Sequence, residues 1–229
     1  EINIEELVTW AREQCLAGSI LPEDKIVQLL DIEPGSRDDL FLRKTADESA
    51  KIITGGEGGI WCAVGMDYMC CGMNCSFCSF GEKWNVIRDS RFVTEKEVME
   101  SARRYAEGGA SYIILRTTES FDFNSLLEYV PRIRREIPGN YEIVLNTCEI
   151  DAGMAERAHQ AGVYGVYHAL RLREGTDTPF DPVHRKEAMK IIQDSPLELI
   201  SLTEPIGPEH SSEEIADCFD CECPPCPDN

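Results

Sequence analysis

Positive charge is scarce in this sequence: its 229 residues hold 22 Lys and Arg against 42 Asp and Glu, a formal net charge of -20. Nucleic-acid binding without sequence preference needs Lys and Arg to displace phosphate counterions, so that class of partner is excluded. After Lys190 there are ten acidic residues and no Lys or Arg, which reads as a solvated acidic end. No apolar run approaches the roughly 20 residues needed to cross a bilayer. The opening EINIEELVTWAREQ is an acidic amphipathic helix rather than a signal peptide. A cytoplasmic chain without a membrane partner is expected. Glu1 in place of an initiating Met reads as a processed or partial sequence.

Cysteine is abundant by contrast, with eleven in the chain. A disulfide framework suits shorter secreted chains. Here the cysteines cluster, with Cys70, Cys71, Cys75 and Cys78 in one group and Cys218, Cys221, Cys223 and Cys226 in another. Clustering of this kind points to metal ligation. A composition of 42% hydrophobic and 28% charged residues is an ordinary globular mixture, long enough to bury a core.

The first fifty residues have helical periodicity. Ile4, Leu7, Val8, Ala11 and Cys15 share one stripe, Ile26, Leu29 and Leu30 follow Pro22, and a third helix spans 37–52 before Gly55-Gly56. Strands then alternate with helices. Strands are expected at 60–64, 112–115, 142–145, 165–170 and 198–202, with helices near 94–107, 125–136, 152–161 and 182–194. Thr94-x-x-Glu97 is a capping box, and Pro131 must kink its helix or mark its first turn. The alternation predicts an α/β fold, a parallel sheet or barrel with right-handed crossovers. Functional groups then belong at the carboxyl ends of the strands. Cys71 to Cys78, Thr117-Thr118-Glu119, Asn146-Thr147-Cys148, Arg171 to Glu174, and Glu204 to His210 all fall there.

Cys71, Cys75 and Cys78, spaced Cys-x3-Cys-x2-Cys, can wrap one face of a metal cluster and leave a fourth position open. A structural zinc ion would need a further ligand, which only the distant tail cysteines could supply. A zinc-binding interaction module therefore stands as the alternative of another class. Four cysteines in nine residues beside Gly72 and Asn74 do not look like core.

The stretch CGMNCSFCSF resembles the signature of the radical S-adenosylmethionine (SAM) superfamily, and the resemblance covers about residues 36–217. It implies a partial (β/α)6, TIM-like barrel. It also implies a 4Fe-4S cluster on Cys71, Cys75 and Cys78, with SAM on the unique iron. Such a pair cleaves SAM to methionine and a 5'-deoxyadenosyl radical that abstracts hydrogen from a substrate. The same resemblance places Phe77 beside the adenine and Glu119 near the methionine amino group, although Thr117 and Thr118 replace the family's glycines. Arg171, Arg173 and Glu174 stand where the family holds the carboxylate, amino group and ribose. Cys70 is read as a strand-end residue.

FLRKTADESA, LNTCEI and EPIGPEH look most like the biotin-synthase-like group, which takes in biotin synthase, two-component lipoyl synthases and hydrogenase maturases. The resemblance implies a small organic substrate in cofactor biosynthesis, with sulfur insertion favoured over carbon rearrangement or hydrogenase-cofactor maturation. It also implies an electron donor such as flavodoxin or ferredoxin. Cys148 matches one interior ligand of biotin synthase, but Leu115-Arg116 and Ser201-Leu202 occupy the places of others. Cys218, Cys221, Cys223 and Cys226 could hold an auxiliary iron-sulfur cluster or zinc. The expected organisation is a helical lead-in at 1–54, the partial barrel at 55–217 and a Cys-rich tail at 218–229. Nothing after Leu202 reads as the last strand of a barrel, so either the sequence is truncated or a partner subunit closes it. A fragment that binds the cluster without turnover is the remaining alternative.

Overall fold

The computed structural model describes residues 3–220, with side chains to 218. These residues form two compact units: 3–58 together with 205–220, and 59–204. In the first, α1 (Ile4–Leu16) is capped by Asn3 and buries Leu7, Val8 and Ala11. Cys15, expected on that stripe, is exposed in the last turn. Helix α2 (Glu23–Leu30) starts after Pro22, and α3 (Arg37–Thr54) starts at Ser36 and stops at Gly55 in the left-handed region (φ 64°). The last described helix, α8 (Ser212–Asp220), was not legible in the sequence; its Ser212 hydroxyl donates to Asp31 at 2.5 Å.

The second unit is the expected α/β fold. Strands β1 (Trp61–Gly65), β4 (Tyr112–Arg116), β5 (Glu142–Asn146), β6 (Gly165–Tyr167) and β7 (Glu198–Ile200) form one parallel sheet in that order. Helices α4 (Glu95–Glu107), α5 (Phe123–Glu136), α6 (Ala152–Ala161) and α7 (Pro182–Gln193) connect successive strands from β1 onward. The result is a partial barrel whose carboxyl strand ends share one edge. Val64, Ile113, Leu115, Ile143, Leu145 and Val166 project from one face into a core with Val98, Leu126, Val130 and Ile192 from the helices. This alternation is the period-2 pattern of the strands meeting the 3.6-residue pattern of the helices. No helix among the described residues is long and apolar enough to cross a membrane.

Local differences from expectation have identifiable causes. Pro131 sits inside α5 rather than at its first turn, because the helix begins two residues earlier, where Asp122 caps the Ser125 N–H at 2.7 Å. Strand β6 ends at Tyr167 instead of Leu170. His168 N–H still reaches the Ile200 carbonyl, but the next carbonyl, of Ala169, turns to the Arg185 side chain. Gly165 is required where β6 and β7 meet, since a Cβ there would lie 2.6 Å from the Glu198 carbonyl oxygen. The capping box at α4 forms as read. Thr94 donates to Glu97 through its hydroxyl and N–H, and with Arg91 it holds that carboxyl at about 2. A short antiparallel pair, β2 (Asp67–Tyr68) with β3 (Arg91–Phe92), brackets the cysteine segment; two-residue strands leave no periodic signal.

Candidate functional site

Residues 70–85 form a coiled loop whose backbone is tied internally. Cys71 N–H donates to the Phe80 carbonyl at 2.8 Å, Cys78 N–H to the Cys75 carbonyl at 3.2 Å, and Gly81 N–H to the Cys78 carbonyl at 3.1 Å. Asn74 adopts φ 53°, a conformation Asn tolerates, and its side chain binds the Gly72 carbonyl and the Lys83 N–H. Gly81 has no room for a Cβ, which would sit 2.9 Å from the Trp84 ring. That ring's N–H donates to the Cys75 carbonyl at 3.2 Å.

This folding brings Cys71, Cys75 and Cys78 together. Burial pushes the Cys75 thiol up; Arg171 pulls it down, and the charges of Cys78 and Cys71 push it up again. Each sulfur is thus within electrostatic reach of Cys75. Cys70 is held elsewhere, its thiol donating to the Ile87 carbonyl at 3.4 Å and accepting from the Ser90 hydroxyl at 3.4 Å. Phe77 is exposed beside the group. Among the described residues no three His, Cys, Asp or Glu side chains converge on a point that one ion could fill.

The loop after β6 closes on the cysteines, with Ser76 N–H donating to the Asp177 carbonyl at 2.7 Å. Arg173 lies exposed in this turn at φ 55°, and its carbonyl accepts from Thr176 and Asp177, both at 2.9 Å. Glu174 is buried; its carboxylate accepts the Arg171 N–H at 2.9 Å and the Thr178 hydroxyl. The Arg171 guanidinium is 3.6 Å from Glu174 and 3.8 Å from Glu204, yet its buried Nη1 has no hydrogen-bond partner. Glu204 also accepts from the Tyr167 hydroxyl.

Two further groups of this site, Arg185 and His168, escaped the sequence reading. Arg185, only 3% exposed, reaches from α7 to within 3.4 Å of both Glu174 and Glu149 and donates to the Ala169 carbonyl at 3.2 Å. It stacks over the Phe180 ring, as does Arg171. His168 is buried with its Nε2 unpartnered. A buried Arg on a helix reads in sequence as a surface residue, and nothing in one chain flags it. Glu119 lies in the same neighbourhood. Burial raises its carboxyl, Arg185 lowers it, and Glu149 raises it again.

The Thr-Thr-Glu segment is anchored by side chains. Thr118 donates its N–H at 2.9 Å and its hydroxyl to buried Asp67, while Thr117 bonds to Thr147 at 3.0 Å. Cys148 is partly buried and accepts from Thr147 at 3.9 Å. Cys218 is buried on α8, whereas Cys221, Cys223 and Cys226 lie outside the described residues.

Three grouped thiols near a guanidinium with one buried nitrogen free of hydrogen bonds fit a cluster that keeps one position for a ligand bearing a carboxylate. The sequence profile of the Radical SAM superfamily matches residues 68–220, well over half of the chain. The chain belongs to the radical SAM superfamily. Its members use a 4Fe-4S cluster and SAM. The fold agrees with solved radical SAM structures. Methylornithine synthase (PylB) has a TM-score of 0.71 at 16% identity, over 83% of this chain and 57% of that one. HydG, a maturase of the FeFe-hydrogenase, has a TM-score of 0.68 at 16% identity over 96% and 50%. HydG from Carboxydothermus hydrogenoformans follows with 0.65 at 16% identity over 93% and 52%. The chain thus spans about half the length of these structures. A search of curated protein sequences finds no match.

Burial, then the charges of Arg185 and Arg171, hold His168 far below its usual range, at about 3. Its proton affinity is lower folded than unfolded, so its contribution to stability is complete above about pH 6.5. It is lost as pH falls toward the folded value, at up to about 1.4 kcal/mol per pH unit. Urea titrations of the reconstituted chain between pH 7 and 5 are expected to show this slope, and His168→Gln to remove about one proton's worth of it.

Proposed function

We propose that this chain is the core of an enzyme that cleaves SAM reductively and uses the product to abstract hydrogen from a small organic substrate. The observation that carries the reading is the grouping of Cys71, Cys75 and Cys78 within electrostatic reach of Arg171, whose buried Nη1 has no hydrogen-bond partner. When bound, the reduced cluster and SAM supply a 5'-deoxyadenosyl radical. The chain's residues hold and orient. The three thiolates ligate the cluster, and Arg171 offers a donor fork to the SAM carboxylate. Glu174 is occupied by Arg171, Thr178 and Arg185 and so fixes the position of both guanidiniums. Glu119, Phe77 and Arg173 contribute at the rim. An external donor such as flavodoxin or ferredoxin supplies the electron, and either further sequence of this protein or a partner subunit closes the barrel beyond β7.

Sulfur insertion in cofactor biosynthesis would draw on an auxiliary cluster at Cys218, Cys221, Cys223 and Cys226. Carbon rearrangement or hydrogenase-cofactor maturation needs no such donor, and the last row of the sheet is Gly65, Arg116 and Asn146, with Cys148 two residues beyond it. We therefore place carbon-centred chemistry ahead of sulfur insertion.

The test is anaerobic reconstitution with iron and sulfide, followed by reductant and SAM. A brown chain that yields 5'-deoxyadenosine and methionine is expected. A colourless zinc protein that leaves SAM intact would sink the reading and favour the interaction module.

A further inference from the structure

The concave face of the sheet, opposite the helices, is graded from apolar to polar. Near the amino ends Trp61 and Tyr112 stack with centroids 3.9 Å apart. The middle row is Ala63, Ile114, Val144 and Gly165. The last row, at the carboxyl edge, pairs Gly65 with Arg116 and Arg116 with Asn146. Their neighbours Val64, Leu115 and Leu145 are buried under the helices, so strand alternation turns this row to the concave side.

Arg116 stands out there. It is exposed, and its side chain forms no ion pair or hydrogen bond among the described residues. Arg171 and Arg185, by contrast, both face Glu174. Beside it Gly65 has only open space where a side chain would be, and Asn146 offers an amide at the next strand. An unneutralised Arg above an apolar floor is surprising in a chain with 42 acidic residues.

We propose that Arg116, assisted by Asn146, binds the carboxylate of a small carboxylic acid substrate and lays its carbon skeleton over Ala63 and Ile114. The inference rests on the SAM-cleaving reading above and names the substrate class of that site. A guanidinium presents two parallel N–H donors matched to a carboxylate. One guanidinium balances one carboxylate charge, whereas a phosphomonoester brings about two at neutral pH. The apolar middle row suits an alkyl or aryl body. Arg116 is a substrate-positioning residue on a strand end, where rigid backbone holds it in place.

The reconstituted chain, with reductant and SAM, is tested with a panel of free amino acids and small carboxylic acids, each paired with its primary amide. At least one acid is expected to accelerate 5'-deoxyadenosine formation while its amide does not. Arg116→Gln should raise the KM for that acid about 10- to 100-fold, the loss expected for hydrogen bonds to a charged group. Arg116→Lys, which keeps the charge without the fork, should fall between, and the thermal melt of each variant controls for folding. Equal effects of acid and amide, an unchanged KM in Arg116→Gln, or intact SAM cleavage that no acid accelerates would each overturn the proposal. Failure of the wild-type chain to cleave SAM at all counts against the enzyme reading instead. The carboxylate contact is then decided by saturation-transfer NMR with the same acids and amides, where selective binding of acids, lost in Arg116→Gln, upholds it and its absence overturns it.

Discussion

Replacing any one of Cys71, Cys75 and Cys78 with Ala is expected to abolish both the iron-sulfur absorbance of the reconstituted chain and its cleavage of SAM. Cys70→Ala should retain both. The contrast rests on where the loop turns each thiol. Cys75 is buried and feels the charges of Cys71, Cys78 and Arg171, while Cys70 is bonded to Ile87 and Ser90. Loss of one thiolate leaves two ligands for a cluster that needs three. Iron and sulfide content, visible absorbance and 5'-deoxyadenosine are measured on all four variants. An intact cluster in Cys75→Ala, or its loss in Cys70→Ala, would reassign the ligand set.

Arg185→Leu should cost the chain about 3–5 kcal/mol, the usual penalty for removing one partner of a buried ion pair. Leu keeps much of the volume, so the loss comes from Glu174, which is 2% exposed at its side chain and would keep only its bonds to Arg171 and Thr178. Arg185→Leu combined with Glu174→Gln should recover part of that loss, because the second change removes the uncompensated charge. Urea denaturation of the single and double variants measures it. A single-variant effect below about 1 kcal/mol would mean that the pair behaves as a solvated surface contact.

Much of the barrel was legible because its strands and helices follow local rules. The 152–161 helix was read to the residue, since Asp151 caps it and Gly162, at φ 93°, ends it. The cysteine spacing was equally local. The two-residue strands β2 and β3 were invisible because they exist only by pairing with each other across 22 intervening residues, 69–90. Helix α8 has no counterpart among the helices expected from sequence. Its amphipathic residues Ile215 and Ala216 are buried, but a nine-residue segment with Glu213, Glu214 and Asp217 carries too weak a period to stand out.

Cys71, Cys75 and Cys78 are legible as a set in the sequence, because a spacing closed within eight residues depends on nearby backbone alone, and their role as cluster ligands is proposed. Arg171 and Glu174 were candidates from sequence, but the ion pair of Glu174 with Arg185 and the nearness of both guanidiniums to His168 were not legible there. Those residues meet only when β6 and α7 pack, and charge burial is a property of that packing, not of any residue's neighbours in the chain. Arg116 makes the same point from the other side. The sequence shows an Arg at the end of a strand, and the sheet register decides that it faces the concave side without an acid to neutralise it.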